Sequence, residues 1–186
     1  MSNTEADGLS PLLEEIDDQG AEQPQRLIER LGQARYDWLI EKKYLKTIPV
    51  QKVGELCILG PEGRAALGKS RTGKTVPESA LGQFYRRRLR ESLEAHGWDF
   101  EHYARPDYKP DPMPVFAHKD KKRLYTLCKG SEYSTQTLKR VLKTFRSELY
   151  DHGQLLVVTE EPHRFRYLLK YPQWKDVLTL TTLQLT

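Results

Sequence analysis

The stretch GKSRTGKT at 68–75 matches, letter for letter, the Gly-x4-Gly-Lys-Thr pattern of loops that cradle phosphate. That chemistry requires an apolar strand running into the loop and a helix opening at the Lys-Thr pair, so that backbone amides and the helix dipole converge on the anion. Here a helical segment precedes the motif, Val76-Pro77 follows it, and no second acidic strand end for magnesium is evident. The expectation is a flexible basic linker, with Lys69, Arg71 and Lys74 near a phosphate backbone and no cofactor.

The densest basic cluster is Arg86-Arg87-Arg88 with Arg90. Three consecutive helical residues spread over about 200° of arc, so they cannot all touch one strand of DNA. At least one is expected to be solvated or ion-paired, and Arg87 is taken as the cluster's DNA contact. A second basic stretch holds Lys139, Arg140, Lys143 and Arg146, of which Lys139, Lys143 and Arg146 share a helical face. The five histidines show no metal-ligand spacing, and no metal is expected. Cys57 and Cys128 lie in separate apolar runs and read as small buried thiols, not as a disulfide. Tyr36, Trp38, Tyr44, Trp98, Tyr103 and Trp174 read as core aromatics, not as stacking platforms for bases.

The net charge of +4 hides an asymmetry. Residues 1–25 carry seven acids and no Lys or Arg, which leaves 30 basic against 19 acidic residues in the other 161 positions. A body of +11 attracts polyanions, and the phosphate backbone is the commonest in a cell. The acidic leader is expected to screen that basic face by imitating the charge of DNA. The opening MSNTEADGLS lacks the basic and apolar parts of a signal peptide, and no window approaches a membrane span, so a cytoplasmic location is expected.

Those residues must be positioned by elements that can be read from periodicity. Leu9, Leu12, Leu13 and Ile16 have the i, i+3, i+4, i+7 spacing of an amphipathic helix, with Ser10 and Pro11 at its start and Gly20 after it. A second helix begins near Pro24, and a third is expected over 33–43. Two β-prone runs, 44–48 and 55–59, joined by a short segment ending in glycine, predict a hairpin. A helix opens at Pro61. The order helix, helix, helix, hairpin, helix is that of a winged helix-turn-helix, whose third helix lies in the major groove and whose wing touches the flanking backbone. The phrase LCILGPEGR at 56–64 resembles the wing end of many bacterial winged-helix regulators, y-x-L-T-P-x-G-R, with Gly60 in place of the threonine. On this reading Gln33, Arg35, Lys42 and Lys43 contact DNA from the third helix, and Lys46 and Lys52 from the wing. Arg and Gln can read base edges, whereas the lysines position the protein through phosphates.

The second half predicts a helix over 79–96, extended runs at 98–103, 113–117 and 123–128, a long helix over 134–150, a buried strand at 155–158, a short helix over 163–171 and a final strand over 177–185. That succession implies a mixed sheet flanked by helices. Arg105-Pro106-Asp107, two extended runs and then LYTLCKG at 124–130 resemble the core of the PD-(D/E)xK nuclease superfamily. Asp107 (or Asp111) and Lys129 match that pattern, but Leu127 stands where the second magnesium-binding acid should be. The resemblance thus implies a nuclease-like scaffold without nuclease chemistry, and an enzyme is not expected.

A winged helix, a linker and a degenerate nuclease-like domain together are similar to the bacterial replication-relaxation family of plasmids and mobile elements. The expected fold class is α+β: a winged helix-turn-helix with acidic leader over 1–68, a basic linker over 69–78 and an α/β nuclease-like domain with a mixed sheet over 79–186. The expected function is double-stranded DNA binding in transcriptional or plasmid and mobile-element replication control. Its partners are DNA, a homodimer mate or a replication or transcription protein, and no membrane. The alternatives are a metal-dependent nuclease using Asp107, Asp111 and Lys129, and a protein-interaction module without DNA binding.

Overall fold

The computed structural model describes residues 9–73, 75–100, 115–120, 122–128, 134–150, 153–159 and 161–182. Asp107, Asp111, Lys129 and Lys74 lie outside the described residues. The chain is mixed α+β with one two-stranded antiparallel sheet and one five-stranded mixed sheet. It divides into two compact units, Met1–Arg87 and Arg88–Thr186.

The first unit runs α1 (Leu9–Gln19), α2 (Pro24–Leu31), α3 (Gln33–Glu41), β1 (Leu45–Val50), β2 (Gly54–Leu59), α4 (Pro61–Ala66) and the opening turns of α5 (Pro77–Ala95). The predicted stripe of α1 is the buried one: Leu12, Leu13 and Ile16 join Leu27, Tyr36, Leu39, Leu45, Cys57 and Leu59 in a single core. β1 and β2 pair antiparallel from Leu45 opposite Leu59 to Val50 opposite Gly54. Between α1 and α2, Glu22 forms a one-residue antiparallel bridge with Cys57, their backbone N–H groups donating to each other's carbonyls at 3.0 and 2.7 Å. The order is therefore helix, bridge, helix, helix, strand, strand.

Two backbone devices fix how α3 meets the hairpin. After α3 the amides of Lys43 and Tyr44 donate to the carbonyls of Ile40 and Leu39, the paired bonds of a Schellman cap. The left-handed residue of that cap is Lys43, at φ 59°, where glycine is the usual occupant. Tyr44 stacks on Trp38 with ring centroids 5.4 Å apart, the apolar contact that accompanies such caps. Beyond β2 the backbone passes so close to this corner that a Cβ on Gly60 would lie 2.2 Å from the Lys43 carbonyl oxygen, and one on Gly63 2.2 Å from that of Tyr44.

In the second unit the sheet follows chain order: β3 (Asp99–Phe100), β4 (Val115–Lys119), β5 (Lys122–Cys128), β6 (Gly153–Val158) and β7 (Leu178–Thr181). β4 is antiparallel to both neighbours, whereas β5, β6 and β7 are parallel. The β5–β6 crossover carries α6 (Thr135–Thr144) and α7 (Arg146–Tyr150), and the β6–β7 crossover a 3-10 helix (Pro162–Lys170) and α8 (Pro172–Lys175). Leu138, Val141, Leu142, Phe145 and Leu149 pack with Tyr125, Leu127, Leu155 and Val157 in its core.

Two expected helices differ in detail. The single helix over 134–150 is interrupted at Phe145, whose ring packs on Tyr125 of β5 with centroids 5.6 Å apart. The helix expected over 163–171 is a 3-10 helix, because its buried residues Phe165 and Leu168 repeat every three positions, the spacing that a 3-10 helix aligns on one side.

Candidate nucleic-acid interface

The cations expected to meet DNA are spread along α3 and the hairpin. Lys42 and Lys43 follow the last turn of α3 and are exposed, Lys46 in β1 is half-buried, and Lys52 is exposed in the hairpin turn. Gln33 is exposed at the first position of α3 and Arg35 half-buried in its first turn. The outer face of α3 is not itself basic, since it also exposes Asp37 and Glu41. Gln33 Nε2 donates to Asp37 Oδ1 at 2.7 Å, and Lys42 Nζ lies 3.2 Å from Glu41 Oε1. An i, i+4 amide–carboxylate pair of this kind is legible in the residue spacing.

Residues 68–73 of the GKSRTGKT stretch fold back onto α1 and α4. Lys69 bonds Asp17 of α1, Arg71 Nη2 lies 2.9 Å from Glu62 Oε2 of α4, and Arg64 Nε donates to the Ser70 carbonyl at 2.7 Å. A helix, α4, leads into this stretch, and the guanidinium of Arg64 fills the space a Cβ on Gly73 would need. Ser70 thus turns a carbonyl, not an amide, toward that guanidinium. Lys69 and Arg71 keep exposed side chains.

Arg87 stands apart from the rest. Its side chain is 4% exposed, with Nη2 2.9 Å from Glu15 Oε1, Nε 2.9 Å from Glu22 Oε2 and Nη1 donating to the Gly20 carbonyl at 3.4 Å. The expected DNA contact is corrected on this point: the guanidinium is consumed by two internal carboxylates, and no phosphate reaches it. Arg88 and Arg90 bridge to Glu91 and Glu94, one turn along α5. Arg86 is the exposed member of the run.

In the first unit Arg26, Arg30, Lys42, Lys69, Arg71 and Arg87 are ion-paired. Pairs as exposed as Lys69–Asp17 or Arg71–Glu62 contribute only about 0–1 kcal/mol, so a phosphate strand can displace the carboxylate at small cost. Arg87–Glu22 is of another kind, because separating two buried charges costs several kcal/mol.

Beneath this surface, burial pushes the Cys57 thiol up from 9.0 to about 12, against a lowering by its hydrogen bond with Tyr36. Burial raises the Tyr36 hydroxyl to about 12 as well, with the neighbouring Cys57 and Glu55 charges adding to it. Cys57 is a free thiol.

Leu127, at the position where the nuclease-like pattern has its second acid, is 1% exposed within the apolar core of the second unit. Among the described residues no group of His, Cys, Asp and Glu could hold a metal ion, and no helix is long and apolar enough to cross a membrane. No protein-family model matches the chain, nor does any curated protein or solved structure.

Proposed function

We propose that the chain binds double-stranded DNA as a cytoplasmic regulator of transcription or of plasmid or mobile-element replication, with the first unit acting as a winged helix-turn-helix. The observation that carries this reading is Lys43. A lysine in the left-handed site of a helix cap costs about 1–2 kcal/mol relative to a right-handed residue, a cost glycine would not incur. Backbone strain of this kind is kept where the side chain is needed. The ammonium of Lys43 stands exposed at the junction of α3 and the hairpin, beside Lys42 and near Lys46 in sequence. In a helix-turn-helix the recognition helix lies in the major groove, and on this reading cations just beyond its end contact the DNA backbone.

Two further features support the reading. The bridge from Glu22 to Cys57 lies between the first two helices, where a three-stranded winged helix has its short first strand, and so supports the reading. In the second unit, a sheet in chain order with a helical crossover between parallel β5 and β6 fits the nuclease-like succession behind the likeness to the replication-relaxation family. Buried Leu127 favours a scaffold over an enzyme.

A gel-shift titration of duplex DNA at two salt concentrations tests the proposal. Binding that weakens steeply with salt, and weakens further in the Arg35→Ala/Lys42→Ala protein, is expected. Absence of binding at low salt, or indifference to the double substitution, sinks it. Recovery of a replication or transcription protein by a chain with no DNA affinity would establish the interaction-module reading instead.

A further inference from the structure

Several cations elsewhere in the chain are held by acids: Arg30 by Glu15, Lys69 by Asp17, Arg71 by Glu62, Arg90 by Glu94, Arg164 by Glu161. α6 is basic along its length. Its ten residues, TQTLKRVLKT, contain three cations and no acid. Leu138, Val141 and Leu142 face the core, which leaves Lys139, Arg140 and Lys143 exposed on the other side. Among the described residues neither Lys139 nor Lys143 forms an ion pair.

These cations line a feature with shape. An open groove of about 510 Å³ is bordered by Ser134, Gln136, Thr137, Lys139, Arg140 and Lys143. The stem of the surface is fixed at two points. The Ser134 side chain caps α6 by accepting from the Thr137 amide at 3.1 Å, and the Lys139 ammonium lies 5.6 Å from the centre of the Tyr167 ring. Lys139 and Lys143 are four residues apart, about 6 Å along the helix axis. That separation suits neighbouring phosphates on one strand, and the exposed Gln136 amide adds a neutral donor at the same surface.

We infer that α6 is a second, independent phosphate-backbone contact, through which the second unit grips nucleic acid with Lys139 and Lys143. The inference rests on the DNA-binding reading for its ligand but shares no residue with it. The contact carries no base readout, because a lysine on a phosphate holds register without sequence information. Its contribution is affinity and salt sensitivity. Each neutralised phosphate adds about 0.9 to the slope of log K against log salt, so the two lysines account for a slope of about 2.

The test uses the full chain and a random-sequence duplex labelled for fluorescence anisotropy, titrated over a range of chloride concentrations. Lys139→Gln/Lys143→Gln keeps good helix formers at exposed positions, and an unchanged circular dichroism melt verifies the fold. The expected result is a salt slope lower by about 2, with equal loss on any duplex sequence. An unchanged slope in the α6 variant, alongside a weakened Arg35→Ala/Lys42→Ala protein, overturns this inference alone. The opposite pattern overturns the α3 contact and leaves α6 standing, and no binding by the parent overturns both.

Discussion

Arg87 and Glu22 face each other inside the first unit with Nε and Oε2 2.9 Å apart, each side chain 4% exposed. The pair joins α5 to the residue that bridges β2, and Glu22 also accepts the Gln23 amide at 2.8 Å. Removing the guanidinium leaves a buried carboxylate with its strongest partner gone. Arg87→Ala is therefore expected to cost about 3–5 kcal/mol, read as a lower urea midpoint. Arg86→Ala, one position away and exposed, should stay within about 0.5 kcal/mol. Equal midpoints for the two variants would refute the structural role.

Lys43 gives the opposite sign. Lys43→Gly removes a left-handed side chain and is expected to stabilise the fold by about 1 kcal/mol, raising the thermal midpoint. Lys42→Gly, at an ordinary φ of −77°, should lower it by about 0.5–1 kcal/mol. If Lys43 is retained for phosphate, the stabilised variant also loses about 1 from its salt slope. A more stable protein with undiminished DNA affinity would remove the case for that lysine.

Screening by the acidic leader acquires a concrete form in Asp17, which holds Lys69. Asp17→Asn should leave stability nearly unchanged, since the pair is exposed, while tightening binding to non-specific duplex several-fold at low salt. Truncating the first 22 residues is a poor test, because it strips Leu12, Leu13 and Ile16 from the core. Unchanged affinity in Asp17→Asn argues against screening at this pair.

Cys57 and Tyr36 set an alkaline limit. Both hold their protons more tightly folded than unfolded, with folded values near 12 against 9.0 for the thiol and 10.0 for the phenol. Their contribution is complete below about pH 9 and is lost as pH climbs toward 12, since the unfolded chain releases those protons first. Urea midpoints should accordingly fall across that interval, and less steeply in Cys57→Ala. At pH 8 the native thiol should resist iodoacetamide, with mass spectrometry showing Cys57 labelled only after denaturant is added. Rapid labelling of the native protein would contradict the burial.

Local patterns were easy to read and distant ones were not. The α1 stripe, the hairpin register around its glycine and the capping Ser134 follow from spacing within a few residues. The interruption at Phe145 has no signal in the local spacing, and the fate of Arg87 depends on Glu15 and Glu22, more than sixty residues earlier. A run of arginines signals charge, but only the fold decides which guanidinium is turned inward. The Gln33–Asp37 pair was legible in the spacing, whereas folding of the 68–73 stretch onto α1 and α4 was not. Asp107, Asp111 and Lys129, the residues of the nuclease-like pattern, lie outside the described residues.

The tight corner at Gly60 and Gly63 bears on how far such a chain can diverge and still be recognised. Surface lysines can migrate to neighbouring positions with little penalty, so a charge pattern erodes quickly. A methyl group at either glycine would collide with main-chain oxygen, which no rotamer change can move aside. Across distant descendants, Gly63, which is glycine in the y-x-L-T-P-x-G-R pattern as well, should outlast the basic residues and serve as the better marker of common ancestry.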